Sequence, residues 1–261
     1  MSSTNSTNST FDGYTQYITI LTNDGTPVLV SLADIDAGNW YDVAVCINYG
    51  AQLGACFVMF FVVLVLTKSH KRQSPIFILN ILSLLFGFLR ALMFAIYFVS
   101  PWIMLYPQWT TDVSGVPMSA YYTSVVASII PLFMTITVDL SLVLQAHTVT
   151  KSMDDIYRYI VTGVAFVIFL LAVGFRMAVT ITNSITILHA DLYYSKQWIS
   201  MGALVTETIS VWFFSFIFTG KLVYTLWIRH RHGWKQWSGV RILAAMGGCT
   251  MVIPCKFSIL F

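Results

Sequence analysis

Four ionisable side chains stand inside long apolar runs: Arg90, Asp139, Arg176 and Glu207. Charge at membrane depth is costly, so such residues pair, face a water-filled cavity or mark a functional site. Arg90 lies deep enough to require a cavity, whereas Arg176 and Glu207 are expected to reach water at the ends of their runs. Asp139 can titrate, pair, lock one conformational state or simply pack. Two amides, Asn80 and Gln145, join this set. Interhelical amide bonds contribute ~0.6–2 kcal/mol, which suits either a latch that opens or static helix glue. Pro254 removes a backbone hydrogen bond and is expected to kink its helix. Gly50 and Gly54 form a GxxxG pair that lets two membrane helices approach closely, and they are candidates for dimerisation.

Catalytic chemistry finds no footing. The sequence has no HExxH, GxSxG or phosphate-binding loop and no CxxC pair, so neither an enzyme nor a metal or cofactor site is expected. His230 and His232 are close enough to chelate a metal, but a basic loop more often leaves them solvated. Cys46, Cys56, Cys249 and Cys255 all fall in or beside apolar runs, which argues against a disulfide framework.

The elements that must position these residues follow from composition. The chain is 57% hydrophobic and 10% charged, with mean hydropathy +0.76, against about 25% charged in an ordinary soluble domain. A lipid bilayer is its natural solvent, and a net charge of +3 gives no argument for nucleic acid. The fold class is therefore all-α, a polytopic membrane helix bundle. Six spans are expected at ~44–66, ~76–99, ~120–146, ~159–181, ~198–228 and ~240–261, since about 20 apolar residues cross the bilayer core. No cleavable signal peptide is readable, so the first span serves as the insertion signal.

Lys and Arg fix the expected sidedness. Residues 1–43 and 100–119 contain none and the 183–197 loop only Lys196, while the alternate loops and helix ends are basic. The positive-inside rule places the N-terminus outside. Residues 1–43 then form an extracellular tail, and 44–261 the transmembrane bundle. The tail carries glycosylation acceptors at Asn5 and Asn8. It also holds two β-favouring runs, Tyr17–Leu21 and Val28–Leu32, joined through Asn23-Asp24-Gly25-Thr26-Pro27 as a hairpin.

This arrangement is reminiscent of a G-protein-coupled receptor, although Leu142-Val143-Leu144-Gln145-Ala146-His147 stands where the rhodopsin-like class has an acidic-Arg-Tyr sequence. Lys71-Arg72-Gln73-Ser74-Pro75-Ile76-Phe77-Ile78-Leu79-Asn80 resembles the first inner loop and second helix of the fungal mating receptors for α-factor-type peptides. Ser141-Leu142-Val143-Leu144-Gln145 is similar to the end of that family's third helix. Lys235-Gln236-Trp237 resembles its third-inner-loop motif, and Met251-Val252-Ile253-Pro254 its sixth-helix proline turn. The GxxxG of Gly50 and Gly54 also matches.

The resemblance implies a seven-helix receptor fold in the plasma membrane, with only six spans present. Its implied partners are a peptide pheromone, a heterotrimeric G protein and a second copy of the chain. Gln52, Arg90, Phe94, Ser128, Pro131 and Met201 fall at that family's peptide pocket, and Arg90 suits a peptide carboxylate. Asn80, Asp139, Gln145 and Pro254 are implied as the activation network. Arg229, Arg231, Lys235 and Gln236 are implied to face the G protein. The family's seventh helix and tail have no counterpart before Phe261, so a truncated form is expected. Two alternatives stand beside the signalling receptor: a truncated form that dimerises with full-length receptor and damps it, and a small transporter using the four intramembrane charges.

Overall fold

The computed structural model describes residues 15–151, 155–189 and 197–231. Two strands come first, β1 (Tyr17–Leu21) and β2 (Pro27–Ser31). Six α-helices follow: α1 (Leu32–Leu66), α2 (Pro75–Tyr97), α3 (Leu105–Thr110), α4 (Met118–Thr150), α5 (Asp155–His189) and α6 (Gln197–Arg231). All but the short α3 are long and apolar enough to cross a membrane. The sixth expected span, ~240–261, lies outside the described residues.

The hairpin forms where the sequence predicts it. Its strands are antiparallel, with Tyr17 opposite Ser31 and Leu21 opposite Pro27. The turn needs a left-handed residue, and Gly25 supplies it with φ 73°. The Thr22 hydroxyl accepts from the Thr26 backbone N–H at 3.1 Å and closes the loop. A lone hairpin is marginal in water. This one touches α1 and α3, buries Val30 and donates from Asn23 Nδ2 to Ser114 Oγ at 3.2 Å.

One boundary needs correction. The first span is expected from about residue 44, but α1 begins at Leu32, directly after β2. Residues 32–43 are therefore helix rather than tail. Asp34, Asp36 and Asp42 lower the local hydropathy without forbidding helix, and α3 supplies packing for this extension. The Gln108 amide donates to Asp42 Oδ2 at 3.3 Å, and the Trp109 ring lies 3.6 Å from where a Gly38 Cβ would stand. The 100–119 connection is likewise ordered, with a 3₁₀ turn at Pro101–Ile103 followed by α3.

Local capping explains part of the basic segment before α2. Arg72 folds back on the end of α1, donating Nη2 to the Leu64 carbonyl at 2.8 Å and Nε to the Thr67 carbonyl at 3.0 Å. A cation there satisfies orphan carbonyls and complements the helix dipole. Ser74 then caps α2, accepting from the Phe77 N–H at 3.3 Å, and Pro75 occupies the first turn, where no donor is missed.

The bundle is organised around α4. It packs on α2, α5 and α6, while α1 packs on α2, and α5 on α6. Small side chains set the closest approaches: Ala91, Ala146, Ala165, Ala172 and Ala203 are all buried. At Gly202 on α6 an added Cβ would stand 2.7 Å from the Phe175 ring on α5. Phe214, 1% exposed, anchors the core with Val143, Ala146 and Ala165. The outward faces are lined by Phe57, Phe61, Val65, Leu170, Leu171 and Phe216, apolar as a lipid-facing surface requires. Cys46 and Cys56 are free thiols.

Candidate functional site

Three polar constellations sit on this scaffold. The first lies in the half of the bundle nearer the hairpin. Arg90 and Phe94 are one turn apart on α2 and so share a face. That face meets Tyr49 and Gln52 of α1. The Arg90 guanidinium stands 5.7 Å from the Tyr49 ring centroid and 5.6 Å from that of Phe94. Those rings stack at 4.7 Å, 6° from parallel. Arg90 Nη1 makes a long 3.5 Å bond to Gln52 Oε1, and its Nε is buried without a partner. Among the described residues no carboxylate pairs with it. Aromatic faces attract the cation but do not fill its donors. The site can therefore take an anionic or acceptor-rich group.

Of the remaining expected pocket residues, Pro131 is buried in α4. The Ser128 carbonyl accepts from the Thr180 hydroxyl at 3.3 Å, tying α4 to α5. Met201 is 55% exposed on α6. The hydrogen bonds and ring contacts of the described residues unite Gln52, Arg90 and Phe94, but do not link them to Ser128, Pro131 or Met201. Tyr49 was missed by sequence reading. Its only signal is the aromatic one turn before Leu53, beside the GxxxG.

The second constellation lies toward the opposite end. Asn80 enters from the first turns of α2, with Ser141 and Gln145, one turn apart, from α4. The Ser141 hydroxyl donates to Asn80 Oδ1 at 2.6 Å. Gln145 Nε2 donates to Ser141 Oγ at 2.9 Å and to Asn80 Oδ1 at 3.4 Å. The three side chains thus close a ring between two helices. Asn80 and Gln145 were expected to cooperate; Ser141 completes the ring.

The third runs between α4, α5 and α6. Arg176 and Glu207 do not reach separately for water as expected. Arg176 Nη1 approaches Glu207 Oε1 to 3.5 Å, and Thr135 Oγ1 donates to the same oxygen at 3.1 Å. A shared counter-charge is less costly than two separate excursions to the interface. Asp139 stands apart, accepting from Ser210 Oγ at 2.8 Å.

Gly50 and Gly54 face open space, with nothing within 4 Å of an added Cβ on either. Pro254, Lys235, Gln236, Asn5 and Asn8 lie outside the described residues, as do the side chains of Arg229 and Arg231. No group of three or more His, Cys, Asp or Glu side chains capable of holding a metal occurs among the described residues.

Comparison with known proteins adds two findings. A family profile described as fungal pheromone mating factor STE2 GPCR matches residues 11–261. A pheromone alpha factor receptor of Lachancea kluyveri is 26% identical over 223 residues, covering 82% of this chain and 50% of that protein. The chain thus spans about half the length of this curated relative.

Proposed function

The chain belongs to the fungal pheromone mating factor STE2 GPCR family, and from that premise we propose that it binds a peptide mating pheromone at the hairpin end and relays binding to a heterotrimeric G protein. The N-terminus is then extracellular and the chain resides in the plasma membrane. The observation that carries this reading is Arg90. Among the described residues it is a cation without a carboxylate partner, beside the stacked Tyr49 and Phe94 rings and Gln52, as recognition of a peptide carboxylate requires. The Asn80–Ser141–Gln145 ring at the other end supplies a breakable link between α2 and α4 near the G-protein side. Movement of α2 or α4 on peptide binding opens that link. The basic end of α6 and the residues beyond it, Arg229, Arg231, Lys235 and Gln236, face the G protein.

The test is a pheromone-responsive reporter in fungal cells whose own receptor is deleted. With this chain at the surface, a dose-dependent response to α-type pheromone supports coupling. A silent reporter despite surface expression and bound peptide refutes it.

A second reading is favoured by one observation. Gly50 and Gly54 leave an open strip on α1, suited to another helix. Here the chain pairs with a longer receptor and damps it. Co-expression with that receptor then lowers its response, and Gly50→Leu with Gly54→Leu restores it. An undiminished response sinks this second reading.

A further inference from the structure

The polar seam between α4 and α6 consists of two rungs. Thr135 and Asp139 are one turn apart on α4, and Glu207 and Ser210 one turn apart on α6. One rung is Thr135 Oγ1 donating to Glu207 Oε1 at 3.1 Å; the other is Ser210 Oγ donating to Asp139 Oδ1 at 2.8 Å. Arg176 reaches Glu207 at 3.5 Å and balances that carboxylate. Nothing balances Asp139: among the described residues no ion pair includes it. Its side chain belongs to a residue only 4% exposed, and its Oδ2 is buried without a hydrogen-bond partner. With both carboxylates ionised, the seam is one positive charge short among the described residues.

We propose that Asp139 Oδ2 marks a binding site for one dehydrated monovalent cation of the sodium class. The polar oxygens along the seam are all hard: the Asp139 and Glu207 carboxylates and the Thr135 and Ser210 hydroxyls. Such donors suit alkali and alkaline-earth ions rather than softer metals. Thr135 and Ser210 give their protons to carboxylates and keep lone pairs free for a cation. One uncompensated charge favours a monovalent ion over a divalent one, which usually takes six or more oxygens including several carboxylates. The bound ion ties α4 to α6 and stabilises the described arrangement of the two helices. This inference rests on the seam alone and stands apart from the pheromone reading.

The experiment uses the full chain purified in detergent, with its unfolding midpoint measured at fixed pH. Sodium chloride is compared with N-methylglucamine chloride and potassium chloride at equal ionic strength. Saturating sodium raises the midpoint by about 2–4 °C over N-methylglucamine, and potassium raises it less. Asp139→Asn removes the sodium dependence, whereas Asp34→Asn, on the exposed start of α1, retains it. If Asp139→Asn fails to fold, Ser210→Ala serves instead and weakens the dependence. Equal midpoints of the unaltered chain in sodium and N-methylglucamine overturn the proposal. So does a midpoint that follows pH but not sodium, which assigns the missing charge to a proton. Sodium dependence surviving in Asp139→Asn overturns it as well.

Discussion

Arg90 is held by contacts that leave its charge unspent. Two ring faces and one long amide bond orient the guanidinium without neutralising it. Arg90→Ala is therefore expected to weaken binding of a peptide with a free C-terminal carboxylate by about tenfold or more, for a charge-assisted bond of ~1.5–3 kcal/mol. C-terminal amidation of the peptide should abolish the difference between the two receptors. Arg90→Lys recovers little, because an ammonium lacks the planar fork and the stacking. At the other end, Asn80→Leu removes the acceptor shared by Ser141 and Gln145. If the ring is a latch, losing ~0.6–2 kcal/mol raises ligand-independent reporter output roughly 3- to 30-fold. Unchanged basal output would reduce the ring to static packing. These residues were visible in the sequence as polar atoms in apolar runs, and resemblance to a family suggested their grouping. The Arg176–Glu207 pair was not legible, because two helices share a charge only when their rotations agree, and neither spacing nor hydropathy records that.

Five of the expected spans could be read directly from hydropathy, and the hairpin from Asn23-Asp24-Gly25. What escaped was the helix outside the apolar window. Asp34, Asp36 and Asp42 obscure the start of α1, and six residues of α3 are too few to carry a pattern of their own. Both are held by tertiary contacts, such as Asp42 with Gln108. Two predictions belong to these elements. Gly202→Ala drives a methyl to 2.7 Å from the Phe175 ring. Overpacking of this kind costs about 1–3 kcal/mol, so surface yield and melting temperature should fall, while Gly163→Ala, in open space on α5, should be tolerated. The loop after α3 depends on pH. The Ser114 backbone N–H donates to Asp112 Oδ1 at 3.0 Å, and with the Ser114 hydroxyl and Tyr106 it holds the Asp112 carboxyl below the ordinary carboxylate range. A depressed folded value means the ionised form stabilises the loop. That contribution is full above the ordinary carboxylate pKa and is lost as pH falls through the folded value. Limited proteolysis at residues 111–116 should accelerate only in that acid range, and Asp112→Asn should remove the dependence.

At the scale of the whole molecule, α4 makes polar contacts with three other helices. It shares the Ser141–Gln145 ring with α2, the Ser128 bond with α5 and the Asp139 rung with α6. The Arg90 site lies on α2, which also enters the ring through Asn80. One helix therefore joins the proposed ligand end to the proposed signalling end, ten residues or ~15 Å along its axis. This arrangement suits transmission by a small shift of α2 against α4, where packed interfaces have discrete alternatives. In the proposed function the hairpin end receives a peptide through Arg90. The measurement that tests it most directly is saturation binding of a fluorescent α-type pheromone peptide with a free C-terminus. The cells express this 261-residue chain at their surface and lack their own receptor. Saturable binding is expected, competed by unlabelled peptide and reduced about tenfold or more in Arg90→Ala. Binding equal in the two, or none by protein shown to be at the surface, would contradict it.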